Sequence, residues 1–175
     1  SDLRRQRQMC IRDSPRAVLM SAYGYFSQGY YKDAISNLER FLVKYNYHPQ
    51  INYAYYLLAL CHYDQIVDDK KDVNQILLAK KYFELIIEEY PNTDYALDSK
   101  FKLELIIEIM ASKEMYLAGY YVEREKWIPA INRYKKVVNE FDTTIYIEEA
   151  LHRLVELHYK IGLVNEAEKY ASLLG

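Results

Sequence analysis

One pattern recurs along this chain and restricts its possible folds more than any other feature. An alanine is followed four and seven positions later by larger apolar residues, and the copies are Ala34, Leu38, Phe41; Ala79, Phe83, Ile86; Ala130, Tyr134, Val137; and, more weakly, Ala167, Ala171, Leu174. Positions with this spacing share one face of an α-helix. The small residue lets a neighbouring helix approach closely, so the pattern predicts closely packed helices.

A second pattern precedes the first one. Twelve residues before three of these alanines lies another expected core position, at Ala22, Ala118 and Val155. A helix pair of this length resembles the tetratricopeptide repeat, a helix–turn–helix unit of about 34 residues. Because neither helix of such a pair buries its apolar face alone, the pairs stack on one another. We therefore predict an all-α fold, a tetratricopeptide-repeat superhelix (α-solenoid) of about four helix pairs.

Two irregularities interrupt the repeat. The segment 94–125 contains no proline and a single glycine, Gly119, which predicts one long helix of about 32 residues, or ~48 Å. In its first half, we expect Phe101, Leu105, Ile106 and Ile109 to pack against the preceding pair. The mostly polar segment 64–75 makes the second repeat longer than the others, and it reads as a solvated insertion rather than a calcium loop because it lacks the glycine of such a loop.

Composition bounds the organisation of the chain. It has 175 residues, 51% of them apolar, and a formal charge of −2, which suits one domain with a real core. We assign residues 15–175 to a single tetratricopeptide-repeat domain. Residues 1–14 lack apolar periodicity and resemble translated sequencing-adapter read-through, so we expect a disordered, non-native segment. Its four arginines and two aspartates leave the remainder at −4, which argues against nucleic acid as a partner.

Chemistry-bearing motifs are sparse. Of the four histidines, only His152 stands in a recognisable pattern, Glu149-x-x-His152, which is half of a di-iron helix motif without its second half. The sequence has no zinc-protease, nucleophile-elbow or phosphate-loop motif, and Cys61 lies in an apolar run typical of a buried thiol. We expect no metal, no cofactor and no enzymatic activity.

Aromatic residues are the compositional outlier, with 20 tyrosines. In repeats of this kind the first helix of each pair lines the inner side, and there the first two repeats place five rings: Tyr23, Phe26, Tyr53, Tyr56 and Tyr63. These rings predict a groove for an extended peptide, because rigid amphipathic rings give large contact area at little entropic cost. The alternative is that they only fill gaps between helices. The equivalent C-terminal positions are polar, at Glu149, His152, Glu156 and Lys160.

The order of motifs is similar to that of one family. The runs in question are His48-Pro49-Gln50-Ile51-Asn52-Tyr53-Ala54-Tyr55-Tyr56, Tyr90-Pro91-Asn92-Thr93-Asp94-Tyr95-Ala96, Lys113-Glu114-Met115, Tyr120-Tyr121-Val122-Glu123-Arg124 and Ala130-Ile131-Asn132-Arg133-Tyr134. Together they resemble the BamD family, the tetratricopeptide lipoproteins of the outer-membrane β-barrel assembly machine. The likeness extends from about residue 17 to residue 175.

The resemblance implies a non-enzymatic scaffold at the periplasmic face of the outer membrane. It implies that C-terminal repeats hold the periplasmic domain of BamA, with Tyr121, Arg124 and Arg133 in the matching motifs. It also implies contacts with accessory lipoproteins and with unfolded outer-membrane protein substrates in the N-terminal groove. Either arginine could instead pair with Glu123, Glu125 or Glu140 within the chain. A generic periplasmic tetratricopeptide adaptor for other envelope proteins is the alternative function.

One departure concerns the N-terminus. Cys10 stands in Arg7-Gln8-Met9-Cys10, which is not a lipobox, and no apolar signal core precedes it. Family members carry a further repeat before the one that starts near Pro15. We therefore expect that the lipid anchor, the sole membrane attachment that the resemblance implies, and the first repeat are missing from this chain.

Overall fold

The structure is a computed structural model that describes residues 14–68 and 73–174. Within these residues every regular element is an α-helix, in the order α1 Pro15–Ser27, α2 Tyr31–Lys44, α3 Ile51–Asp68, α4 Val73–Glu89, α5 Asp94–Glu123, α6 Trp127–Glu140, α7 Ile147–Lys160 and α8 Val164–Ala171. The all-α fold of short-linked helices is confirmed. The chain divides into two compact units, of which the first ends at Leu103 and the second begins at Glu104, inside α5.

In the first unit, α1 packs on α2, α2 on α3 and α3 on α4. The repeated alanines lie at these contacts: Ala22, Ala34 and Ala79 have no exposed surface. The larger members of each copy are equally buried, and Phe41 and Phe83 are among the largest side chains with no exposure. The pattern of one small and two large residues therefore marks the core side of α2 and α4, as predicted.

In the second unit, the second half of α5 and the helices α6 and α7 share one core, and α8 packs on α7. Ala118, Ala130 and Ala167 are fully buried. The register predicted for the last pair is wrong by one residue, because Leu154 is fully buried and Val155 only half-buried. The predicted continuation through Ala171 and Leu174 also fails, since both are exposed and α8 ends at Ala171.

Helices α1 and α5 begin at a hydroxyl cap. Ser14 caps α1 by accepting a hydrogen bond from the Ala17 amide at 3.2 Å, and Pro15 occupies the first helical position. At the start of α5 the cap is Thr93, whose Oγ1 accepts from the Ala96 amide at 3.2 Å. The threonine hydroxyl thus satisfies the amide three positions on.

Three helices end in the same turn. After α1, the Tyr30 amide donates to the Tyr25 carbonyl at 2.9 Å, and Gly29 takes a φ of 78°. A backbone hydrogen bond of the same kind follows α5 and α7. The left-handed residue is Glu125 after α5, with a φ of 56°, and Gly162 after α7, with a φ of 82°. This is the Schellman ending, which needs a left-handed residue. Glu125 is a non-glycine residue in that conformation.

The long helix is confirmed, with 30 residues ending at Glu123 instead of Glu125. The expectation that Phe101 and Leu105 pack against the preceding pair is wrong, because they are 59% and 53% exposed. In the first half of α5 the fully buried positions are Ala96, Ser99 and Ile106, which recur at helical spacing. Phe101 and Leu105 belong to a neighbouring face of the same helix.

The segment 64–75 is less of an insertion than its polarity suggests. Helix α3 continues to Asp68 and α4 begins at Val73, and the remaining four residues lie outside the described part. Ile66 is buried, and a His62 ring nitrogen, Nδ1, lies 2.7 Å from the Gln75 amide oxygen. The segment therefore lengthens a helix pair. Residues 1–13, which carry most of the predicted non-native segment, also lie outside the described residues.

Candidate protein-binding surfaces

Tyrosine rings on α3 and α5 form the centre of an aromatic cluster in the first unit. The Tyr95 ring lies 5.7 Å from that of Tyr53 and 4.9 Å from that of Tyr56, centroid to centroid. The Tyr56 hydroxyl donates to Asp98 Oδ2 at 2.6 Å. Burial and this carboxylate raise the pKa of Tyr56 well above its usual 10. The hydrogen bond holds the ring in place, so Tyr56 presents a fixed surface.

Tyr63 lies on α3 and contacts both a core residue and a charged residue. Its ring meets Phe83 edge-on at 6.0 Å, and Lys102 Nζ lies 5.3 Å from its centroid. Lys102 Nζ is also 3.5 Å from Asp98 Oδ2. Asp98 therefore connects the Tyr56 hydroxyl to the ammonium that covers Tyr63.

The other two predicted groove residues lie on α1. Tyr23 is 54% exposed, whereas Phe26 is half-buried and packs against the core. Their rings are 6.5 Å apart. Tyr23 and Tyr53 are close enough that, after burial and Tyr95, Tyr23 contributes to the raised pKa of Tyr53. Only Tyr23 of the five is mainly exposed; the rest are half-buried and combine packing with a partly accessible edge.

Sequence reasoning missed the α5 side of this cluster. Tyr95, Asp98 and Lys102 were not singled out, although they recur at the three- and four-residue spacing of one helix face. That spacing was the available signal. It shows a face but does not show that the face lies against Tyr53 and Tyr56.

In the second unit, a buried carboxylate binds two cations. Glu114 on α5 accepts from Arg133 Nη1 at 2.9 Å and from Lys136 Nζ at 2.7 Å, both on α6. The Glu114 side chain is only 12% exposed, while those of Arg133 and Lys136 are 38% and 37% exposed. Burial alone would raise the pKa of Glu114, but the two cations together lower it below its usual value. Two positive charges therefore share one negative charge.

The other predicted partner residues connect to this ion pair. Tyr121 lies close enough to Arg133 to add to the raised pKa of that guanidinium, which Glu114 chiefly causes. The Tyr121 ring meets Tyr120 edge-on at 5.7 Å. The Arg124 guanidinium carbon lies 3.5 Å from the Tyr120 centroid, a cation–π contact. Tyr121, Arg124 and Arg133 are thus joined through Tyr120 and belong to one surface.

Three residues of this surface were missed from sequence: Glu114, Tyr120 and Lys136. Glu114 is the carboxylate that pairs with Arg133, rather than Glu123, Glu125 or Glu140. Its signal was its place in the Lys113-Glu114-Met115 run. That run gives no distance to α6, so the pairing depends on how the two helices pack.

Some sequence expectations concern groups outside these surfaces. Cys61 is fully buried, and burial raises the pKa of its thiol to about 12. In the described residues, no group of three or more histidine, cysteine, aspartate or glutamate side chains is arranged to hold a metal ion. No helix among those residues has the length and apolarity needed to cross a membrane.

Alanine-packed helix pairs and exposed aromatic and cationic clusters define a helical-repeat protein of the tetratricopeptide type. Comparison with known proteins makes the assignment more specific. The sequence matches the outer membrane lipoprotein family, YfiO, over residues 10–173. The chain belongs to this family.

Three relatives carry the same name. The outer membrane protein assembly factor BamD of Rickettsia prowazekii is 41% identical over 165 residues, which are 93% of this chain and 64% of the relative. That of Caulobacter vibrioides is 36% identical over 162 residues, 93% of this chain and 53% of the relative. A third, from Neisseria gonorrhoeae, is 31% identical over 159 residues, 85% of this chain and 59% of the relative. The chain thus spans between about half and two thirds of these relatives.

Proposed function

We propose that this chain is a non-enzymatic scaffold in the assembly of outer-membrane β-barrel proteins. In this proposal the second unit binds the periplasmic domain of BamA, and the aromatic cluster of the first unit binds peptides of unfolded outer-membrane proteins. The protein works at the periplasmic face of the outer membrane, where its full-length form is held by an N-terminal lipid anchor, and it contacts accessory lipoproteins. Membership in the lipoprotein family and the names of the relatives support this role.

The ion pair at Glu114 is the single observation that carries the BamA contact. Arg133 and Lys136 bring two positive charges to one carboxylate, so one positive charge is left for a partner. Both cations keep more than a third of their side-chain surface exposed. A guanidinium binds a carboxylate through two parallel hydrogen bonds, and the contact with Glu114 restricts the orientation of this one. The surface suits a partner carboxylate.

The test is a pull-down with purified BamA periplasmic domain. We expect Arg133→Ala to weaken binding by roughly thirtyfold or more, because truncating a charge in a binding interface costs on the order of 2 kcal/mol or more. Arg40→Ala is the matched control, since Arg40 is an exposed arginine of the first unit whose guanidinium contacts Asn37. Arg133→Lys keeps the charge but not the planar fork, and we expect intermediate binding.

If the chain does not bind BamA, or if Arg133→Ala binds as tightly as the original, the proposed contact is wrong. The generic periplasmic adaptor then becomes the better explanation. That alternative keeps the same fold and the same aromatic cluster but directs them to other envelope proteins.

The peptide-binding part has its own test. We expect the double variant Tyr53→Ala, Tyr56→Ala to lose affinity for a peptide from an unfolded barrel protein while its helical circular dichroism signal is kept. Tyr23→Ala removes a ring that is mostly exposed, so it should weaken binding of the peptide without changing the stability of the protein. If stability falls while affinity holds, the rings only fill gaps between helices.

A further inference from the structure

A groove in the second unit is separate from the surface of Arg133. It has a volume of about 520 Å³ and lies between the second half of α5 and the helix α7, with Tyr134 of α6 also lining it. Its apolar wall includes Met115, Val122 and Leu157. None of Tyr121, Arg124, Arg133 and Lys136 lines it. The groove therefore needs its own explanation.

Gly119 lies in this groove and has no structural reason to be glycine. It stands inside α5, where glycine costs about 0.5–1 kcal/mol relative to alanine. A Cβ added there meets no heavy atom within 4 Å, so no close packing of neighbouring helices requires its absence. Its φ is not in the left-handed region. The missing side chain leaves the groove open and exposes the helix backbone at its wall.

The edge of the groove is predominantly negative. Three carboxylates, Glu123, Glu149 and Glu156, line it together with one guanidinium, Arg153. Arg153 Nη1 lies 2.9 Å from Glu156 Oε2, and Arg153 Nε lies 3.7 Å from Glu149 Oε1. Glu123 is exposed and makes no ion pair within the described part of the chain. The groove thus combines an apolar wall with a carboxylate that is open to a cation.

We propose that this groove binds a polypeptide segment in which a large apolar side chain is adjacent to a lysine or arginine. The apolar side chain packs against Met115, Val122 and Leu157. The backbone of the segment approaches the helix at Gly119, and the cation pairs with Glu123. The charge complementarity selects a basic segment, and the site is independent of the proposed contact at Arg133.

The test uses a fluorescein-labelled decapeptide with one central Phe-Lys pair in a glycine–serine sequence, and a copy in which glutamate replaces the lysine. We expect the lysine peptide to bind at least about fivefold more tightly, because the copy replaces attraction by repulsion. In a nitrogen–proton correlation spectrum, the lysine peptide should shift the Gly119 amide and leave that of Gly24 unchanged. Both glycines are helical, so Gly24 is an internal control.

Two variants distinguish binding in the groove from non-specific binding elsewhere on the protein. Gly119→Leu places an apolar side chain in the groove and should reduce binding at least tenfold, whereas Gly24→Leu should not; an added Cβ meets no heavy atom within 4 Å at either position. Glu123→Lys should reverse the preference between the two peptides. The proposal is overturned if the lysine peptide leaves Gly119 unshifted, if Gly119→Leu binds normally, or if both peptides bind equally. If the unsubstituted chain binds BamA but does not bind the lysine peptide, only this inference is refuted.

Discussion

The substitution Glu114→Gln tests the ion pair on which the proposed partner surface depends. It keeps the size of the side chain and one oxygen acceptor, but it removes the negative charge shared by Arg133 and Lys136. A hydrogen bond to a buried charged group contributes about 1.5–3 kcal/mol, and an exposed ion pair about 0.2–1 kcal/mol. Because Glu114 is 12% exposed but both cations are more than a third exposed, the two contacts fall between these limits.

We therefore expect Glu114→Gln to lower the free energy of unfolding by about 1–2 kcal/mol. For a domain of this size that lowers the melting temperature by roughly 2–8 °C, measurable by circular dichroism at 222 nm. Glu166→Gln is the matched control, because Glu166 also contacts a lysine at 2.7 Å but on an exposed surface. We expect no measurable change in the control.

The effect should depend on pH in a defined direction. Burial opposes ionisation of Glu114, but Lys136 and Arg133 outweigh it and lower the folded-state pKa below the usual 4.5. A lowered folded-state pKa stabilises the protein at pH values above the unfolded-state pKa, and this stabilisation is lost as the pH falls through the folded-state value. The difference between the original protein and Glu114→Gln should be constant from pH 7 to about 5 and narrow below about 4.5. Equal melting temperatures at pH 7, or a difference that does not narrow in acid, would refute the reasoning.

Three further predictions concern the backbone and the core. Glu125→Gly should raise the free energy of unfolding by about 1 kcal/mol, because it removes a side chain from a residue at φ 56°, and Gly29→Ala should lower it because of the φ of 78° there; urea denaturation measures both. Phe83→Ala should cost about 3–5 kcal/mol in the same assay, since Phe83 has no exposed surface, and a loss below 1 kcal/mol would contradict its core position. With Cys10 replaced by serine, Cys61 should react with a thiol reagent at pH 8 only on unfolding, because burial raises its pKa to about 12; rapid labelling of the folded chain would show that the site opens.

Much of the fold could be predicted from local patterns in the sequence. Helix periodicity and the twelve-residue offset placed Ala22, Ala34 and Ala130 in the core. These features depend on residues three, four or seven positions apart, which a helix brings together whatever surrounds it. The errors arise where apolar residues lie on adjacent helix faces that the pattern does not separate. The pattern predicts Val155 at the core position that Leu154 occupies, and it groups Phe101 with the buried Ile106.

For the candidate sites, too, some features follow from local sequence and others only from the packing of helices. The sequence by itself determined that tyrosines cluster on the first helices and that Arg133 follows a recognisable motif. Only the tertiary structure decided that Arg133 meets Glu114, 19 residues away, and that Tyr56 bonds Asp98, 42 residues away. Side chains that far apart meet only when two helices pack at one particular rotation, and a change of one residue turns a helix face by about 100°. Periodicity sets the faces of each helix, and close packing of the small residues selects which faces meet.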